Sequence, residues 1–116
     1  MNISDFRAYC LAKKGVTESF PFDDKTLVFK VVKMFALTGV EEFKSINLKC
    51  DPERAVDLRE TYQGVQPGYH MSKVHWNTVS VKSDVPEKRI LELIDHSYDL
   101  VVKSLTKKQR NELSLG

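Results

Sequence analysis

Between Val65 and Val81 the chain reads Val-Gln-Pro-Gly-Tyr-His-Met-Ser-Lys-Val-His-Trp-Asn-Thr-Val-Ser-Val, and this stretch holds the single Trp and two of the three His. His70, Lys73, His75, Trp76 and Asn77 bring a cation, two imidazoles, an indole and a carboxamide close together. Such groups grip phosphate oxygens and stack on or wedge against bases. Further residues extend the pattern. Lys30, Asn47 and Lys49 fall on the outward face of their strands by alternation, and Lys33, like Lys73, falls at a hairpin turn. The same pattern also suits ordinary solvated strand positions with Trp76 in the core, because lysines are surface residues by default.

Other chemistries are less well supplied. His70 and His75 could face each other across a hairpin and take a metal with Cys50 or a carboxylate. Their positions lack a four-ligand spacing, so neither a metal nor a cofactor is expected. Asp95-His96-Ser97 contains the residue types of a hydrolytic triad, yet consecutive helical positions diverge by ~100° and cannot converge on one atom. The segment reads as a solvated helix edge, with Asp99 and Lys103 spaced for an ion pair one turn apart. No Gly-rich loop leads into a Lys-Ser or Lys-Thr pair, which argues against a nucleotide-binding loop. No catalytic residue is assigned, and a non-enzymatic protein is expected.

The elements that must position these residues follow from periodicity. Ser4 can cap a first helix from about Asp5 to Lys14, with Gly15 suited to the left-handed position beyond it. An irregular or short extended entry, residues 16–22, leads to strands at Leu27 to Val31 and Met34 to Thr38, joined tightly around Val32 and Lys33. Ser45 to Cys50 alternates cleanly, Ile46, Leu48 and Cys50 inward against Ser45, Asn47 and Lys49 outward, the mark of a sheet with one face covered. Asp51-Pro52 starts a second helix that presents Ala55, Leu58 and Tyr62 and stops at Gly64. The 65–81 stretch reads as a hairpin: extended from Gln66 to Met71, a turn near Ser72 to Val74, and a strand from His75 to Val81. Alternation sends Trp76, Thr78 and Ser80 to one face and His75, Asn77, Val79 and Val81 to the other, leaving open which is buried.

Asp84-Val-Pro-Glu87 has capping-box spacing and starts the longest helix, whose stripe includes Ile90, Ile94 and Tyr98. Thr106 begins a basic tail or a short extra helix. The order helix, three strands, helix, two strands, helix describes an α+β fold in two layers, an antiparallel sheet of about five strands with helices on one face. Phe29, Ile46, Leu48, Leu58, Ile94 and Tyr98 are expected to share one core.

The length of 116 residues suits one compact domain spanning 1–116. Hydrophobic residues at 41% and charged residues at 29% are ordinary for a globular protein. No apolar run approaches the ~20 residues of a membrane-spanning helix, and the N-terminus lacks the pattern of a signal peptide. A cytoplasmic protein without membrane contact is expected. Cys10 and Cys50 sit among apolar neighbours and read as reduced structural thiols. Eighteen Lys and Arg against 16 Asp and Glu give a net charge of +2, compatible with nucleic-acid contact without requiring it.

The run Pro67-Gly-Tyr-His-Met-Ser-Lys-Val-His-Trp-Asn-Thr-Val79 resembles the MmcQ/YjbR-like family of small bacterial proteins. The likeness extends through Gly15-Val-Thr-Glu-Ser-Phe-Pro-Phe22, Leu27-Val-Phe-Lys30, Met34-Phe-Ala36, Asn47-Leu-Lys-Cys-Asp-Pro52, Asp84-Val-Pro86 and residues 93–102. It thus covers nearly the whole chain in order. One departure is a single Val32 where the family usually carries a Gly-Gly turn. The resemblance implies a fold likened to the double-wing domain of a phage transcription activator, and family members are commonly called DNA-binding proteins. The expectation is a DNA-binding protein of low sequence specificity, contacting phosphates through lysines of the sheet face and hairpins. The alternatives are a protein-interaction module or homodimer using the open sheet face, and a small-ligand binder or enzyme using His70 and His75.

Overall fold

The structure, a computed structural model, describes residues 1–115. In chain order the elements are α1 (Ile3–Leu11), β1 (Thr17–Ser19), β2 (Thr26–Val31), β3 (Lys33–Gly39), β4 (Ser45–Lys49), α2 (Pro52–Thr61), β5 (Val65–Pro67), β6 (Trp76–Ser80), α3 (Glu87–Ser104) and α4 (Lys107–Glu112). The strands form one sheet in the order β1-β2-β3-β4-β6-β5, with every neighbouring pair antiparallel. This is the expected α+β architecture with six strands in place of about five. The added strand is β1, an edge strand paired to β2 with Glu18 opposite Phe29 and tied by its carboxylate to Arg7 of α1.

Helices cover one face of the sheet. Leu27, Phe29, Val31, Ile46, Leu48, Val65 and Val79 point into that layer and meet Phe6, Leu58, Ile90, Ile94 and Val101 from the helices. Phe6 lies edge-on to Phe29 with ring centroids 5.3 Å apart. Of the expected core residues, Phe29, Ile46, Leu48, Leu58 and Ile94 are buried. Tyr98 is half-buried: its ring meets Phe35 edge-on at 5.5 Å, and its hydroxyl donates to the Lys14 carbonyl. A bulge between Phe29 and Lys30 shifts the β2–β3 register, and both Phe35 and Ala36 join the helix-side core. Such a bulge bends its strand and increases the local twist.

The caps differ from expectation in two places. Asn2, not Ser4, caps α1, because its side chain accepts from Asp5 N–H while the Asp5 carboxylate accepts from the Asn2 N–H. That reciprocal pair satisfies two orphan donors and starts the helix earlier. Asp84 does not cap α3, which begins after Pro86 without a side-chain cap. Its carboxylate instead accepts the N–H groups of Gln63 (2.7 Å) and Gly64 (2.8 Å), closing the turn after α2. Gly64 is needed there, since a Cβ would lie 2.1 Å from Ser83 Oγ. Asp51 and Thr106 cap α2 and α4 through Arg54 N–H and Gln109 N–H.

Asp95, His96 and Ser97 are not a solvated edge. Asp95 accepts from the Tyr9 hydroxyl at 2.7 Å and pairs with Lys13, both on the α1 side. His96 faces the start of α2 and accepts from Asp51 N–H. Ser97, fully buried, lies over the sheet between Lys49 and Phe35. As the helical geometry requires, the three side chains leave in different directions, and each ties α3 to another element. Among the described residues Asp99 and Lys103 form no ion pair.

The expected hairpin is shorter than its sequence suggests. Only Val65–Pro67 pairs with β6, after which Gly68 to His75 form a loop. Gly68 N–H donates to Trp76 O at 2.9 Å and ends the ladder. A Cβ on Gly68 would lie 2.7 Å from Trp76 Cβ. The chain then turns through His70, whose φ is 58°.

Candidate nucleic-acid interface

Register settles which face of β6 is covered. Asn77 is opposite Leu48 and Val79 opposite Ile46, so both face the helices, while Trp76 and Thr78, opposite Lys49 and Asn47, face away. The face away from the helices is not bare. Trp76, only 8% exposed, packs with Val28 and Leu37 into a second apolar cluster flanked by Met34 and Met71. Met71 comes from the 68–75 loop, which folds back over the sheet. Its path is fixed by Tyr69 N–H donating to Thr78 Oγ1 (2.9 Å), Lys73 Nζ donating to Gly68 O (3.1 Å), and Arg59 of α2 donating to Lys73 O.

The sequence-derived site residues therefore separate into groups. Asn77 is 2% exposed beneath α2; its Oδ1 accepts from Arg59 Nε at 2.7 Å and its Nδ2 donates to Ala55 O. Both ends of the carboxamide are engaged, so Asn77 has no group to offer a base. Trp76 is likewise enclosed, as a cluster residue and not as a free stacking platform. Lys30, Lys33, Lys49 and Lys73 belong to one end of the sheet: the end of β2, the start of β3, the end of β4 and the loop preceding β6. His75, exposed, lies at the same end, its carbonyl accepting Cys50 N–H at 2.8 Å. None of the four lysines is in an ion pair among the described residues, whereas Lys13, Lys25 and Lys44 each are.

Asn47, the middle residue of β4, and His70 of the 68–75 loop are set back from that end; Asp23, Asp24, Glu41 and Glu42 flank the strand ends opposite. Asn47 and His70 share a groove of about 510 Å³ with Phe22, Asp23, Thr26, Leu37, Ser45, Tyr69 and Met71. Sequence reasoning missed this groove. The available signal was the pair of aromatics in loop segments, Phe22 and Tyr69, which remain 64% and 67% exposed.

Burial and backbone hydrogen bonds shift three titratable groups. Cys10 is pushed up to about 12 and Cys50 to about 11, in both by burial. A thiol so protonated at neutral pH is a poor nucleophile and metal ligand. Asp23 is held below the usual carboxylate range by the N–H groups of Lys25 and Thr26. Among the described residues no three His, Cys, Asp or Glu gather as a metal site, and no helix is long and apolar enough to cross a membrane.

Comparison with known proteins agrees with this fold. The YjbR family model matches residues 11–100. Uncharacterized protein YjbR of Escherichia coli K12 is 36% identical over 115 residues, 97% of this chain and 98% of that protein. Uncharacterized protein YbdF of Escherichia coli O157:H7 is 34% identical over 99 residues, covering 84% and 81%. The crystal structure of Deinococcus radiodurans protein DR2400, a DUF419 domain, superposes with a TM-score of 0.91 at 42% identity, covering 97% of this chain and 88% of that one. The chain belongs to the YjbR family of small bacterial proteins, whose function is uncharacterised.

Proposed function

We propose that this protein is a non-enzymatic DNA-binding protein of low sequence specificity that contacts phosphates through Lys30, Lys33, Lys49 and Lys73. The observation that carries the reading is the convergence of these lysines on one end of the sheet with, among the described residues, no carboxylate paired to any of them. Unpaired cations leave their full charge for an external anion. Low specificity follows from the enclosure of Asn77 and Trp76, the residues best equipped to read or stack on bases. Contacts to phosphate alone position a protein without reading sequence.

Salt dependence tests this. Each neutralised phosphate contributes roughly −0.9 to the slope of log affinity against log salt on duplex DNA, so four contacts give roughly −3.6. Lys73→Ala should reduce the magnitude by about one and weaken unrelated sequences alike. A wild-type protein that shows no salt-sensitive DNA retention at low ionic strength would defeat the proposal. Concentration-dependent self-association in that case would point to the sheet face as an interface between copies of the chain.

A further inference from the structure

The groove around Asn47 has the parts of a small-molecule site. Its volume of about 510 Å³ lies in the usual range for such sites; two other surface cavities are smaller, about 330 and 240 Å³. Leu37, Ser45 and Asn47 of the central strands form the floor. Phe22 borders it on the β2 side and Tyr69 on the β6 side. The two aromatic rings remain mostly exposed on opposite sides of the groove, and Tyr69 packs against His70 with ring centroids 4.0 Å apart.

The floor supplies direction. Tyr69 N–H donates to Thr78 Oγ1, and the Thr78 hydroxyl donates to Asn47 Oδ1. This relay fixes the Asn47 carboxamide and leaves its Nδ2 without a protein acceptor among the described residues. On the β2 side the Asp23 carboxylate, whose Oδ1 accepts the Lys25 and Thr26 N–H groups at 2.9 and 2.7 Å and whose Oδ2 accepts the Thr26 hydroxyl at 3.3 Å, adds an acceptor with negative charge. Flat apolar walls, one fixed donor and one anionic acceptor suit a flat, uncharged ring that carries both an acceptor and an N–H donor. They disfavour an anionic ligand.

We infer that this groove binds an uncharged planar nitrogen heterocycle of the nucleobase class, with Asn47 Nδ2 donating to a ring nitrogen or carbonyl and Asp23 accepting from an amino or ring N–H. The inference does not rest on the phosphate contacts proposed above, although Lys49 lies two residues beyond Asn47 on the same face of β4 and Lys73 shares the 68–75 loop with Tyr69 and His70.

Titration of the full chain with adenosine, guanosine, cytidine and uridine, followed by two-dimensional amide NMR, tests the inference. At least one nucleoside should bind at millimolar or tighter affinity and shift the Asn47, Tyr69 and His70 signals. Asn47→Asp removes the donor yet still accepts from Thr78, so it should abolish the shifts while the unfolding temperature stays close to wild type. Phe22→Ala, at an exposed position, should weaken binding about tenfold. Lys33→Ala, at the β2–β3 turn, should leave nucleoside binding unchanged, whatever it does to DNA. No shift with any nucleoside, retained binding in Asn47→Asp, or tighter binding of the 5′-monophosphate than of its nucleoside would each overturn the inference.

Discussion

His96 on α3 accepts the backbone N–H of Asp51 through Nε2 at 3.2 Å, so a side chain of one helix completes the N-terminus of another. The bond requires a neutral imidazole, and burial together with the nearby Arg54 guanidinium lowers the His96 pKa from 6.5. In the unfolded chain His96 takes up a proton at higher pH than in the folded one. The stabilisation is therefore complete above about pH 6.5 and is lost as pH falls through the depressed folded value. The unfolding temperature should decline as pH drops below that point, before most carboxylates titrate. His96→Gln, which keeps a neutral acceptor, should flatten that part of the profile.

Ser97 offers a sharper test of the helix–sheet junction. Its hydroxyl donates to Phe35 O and accepts Lys49 N–H at 2.9 Å, bridging β3 and β4 where their direct ladder has ended at Ala36 and Leu48. Ser97→Ala leaves a carbonyl and an N–H without partners beneath α3. Each unsatisfied buried group costs about 1–3 kcal/mol, so the urea midpoint should fall by the equivalent of at least about 2 kcal/mol. A loss below half of that would mean that water enters the junction and replaces the hydroxyl.

How much of this was readable beforehand depends on the range of the interaction. The alternation of Ile46, Leu48 and Cys50 is a property of one strand, and the structure keeps it. The caps at Asp51 and Thr106 need only the next three residues, and they too are present. Asp84 shows where local spacing fails. Its box with Glu87 is correctly spaced, but two unpaired N–H groups at Gln63 and Gly64 lie within reach and take the carboxylate. Trp76 and Asn77 were ambiguous for a related reason: alternation separates their faces, while the assignment of those faces depends on where α2 and the 68–75 loop lie. The groove around Asn47 combines the β1–β2 connection, two central strands and that loop, and no single window of sequence contains it.

Val32 joins β2 to β3 with a φ of 67°. A β-branched residue in the left-handed region is strained by roughly 1–2 kcal/mol. Glycine removes that strain but adds freedom to the unfolded chain, offsetting up to about 1 kcal/mol. Val32→Gly should therefore stabilise the protein by up to about 1 kcal/mol in urea unfolding. Val32 is 46% exposed, so only a partial packing loss opposes the gain. A destabilised variant would show that the covered part of the side chain holds the turn.

Trp76 distinguishes a core residue from a DNA-stacking one by fluorescence. Enclosed against Val28 and Leu37 with Met34 and Met71 around it, the indole should emit at short wavelength and resist quenching by iodide. Truncation to Ala should cost about 3–5 kcal/mol, as for other buried large aromatics. Trp76→Phe, which keeps most of the apolar volume, should retain the fold. If DNA is bound only through lysines, that variant keeps wild-type DNA affinity and salt slope, and addition of DNA to the wild-type protein leaves the emission spectrum in place. Strong quenching by DNA, with an affinity loss in Trp76→Phe at unchanged stability, would instead require the 68–75 loop to lift and expose the ring on binding.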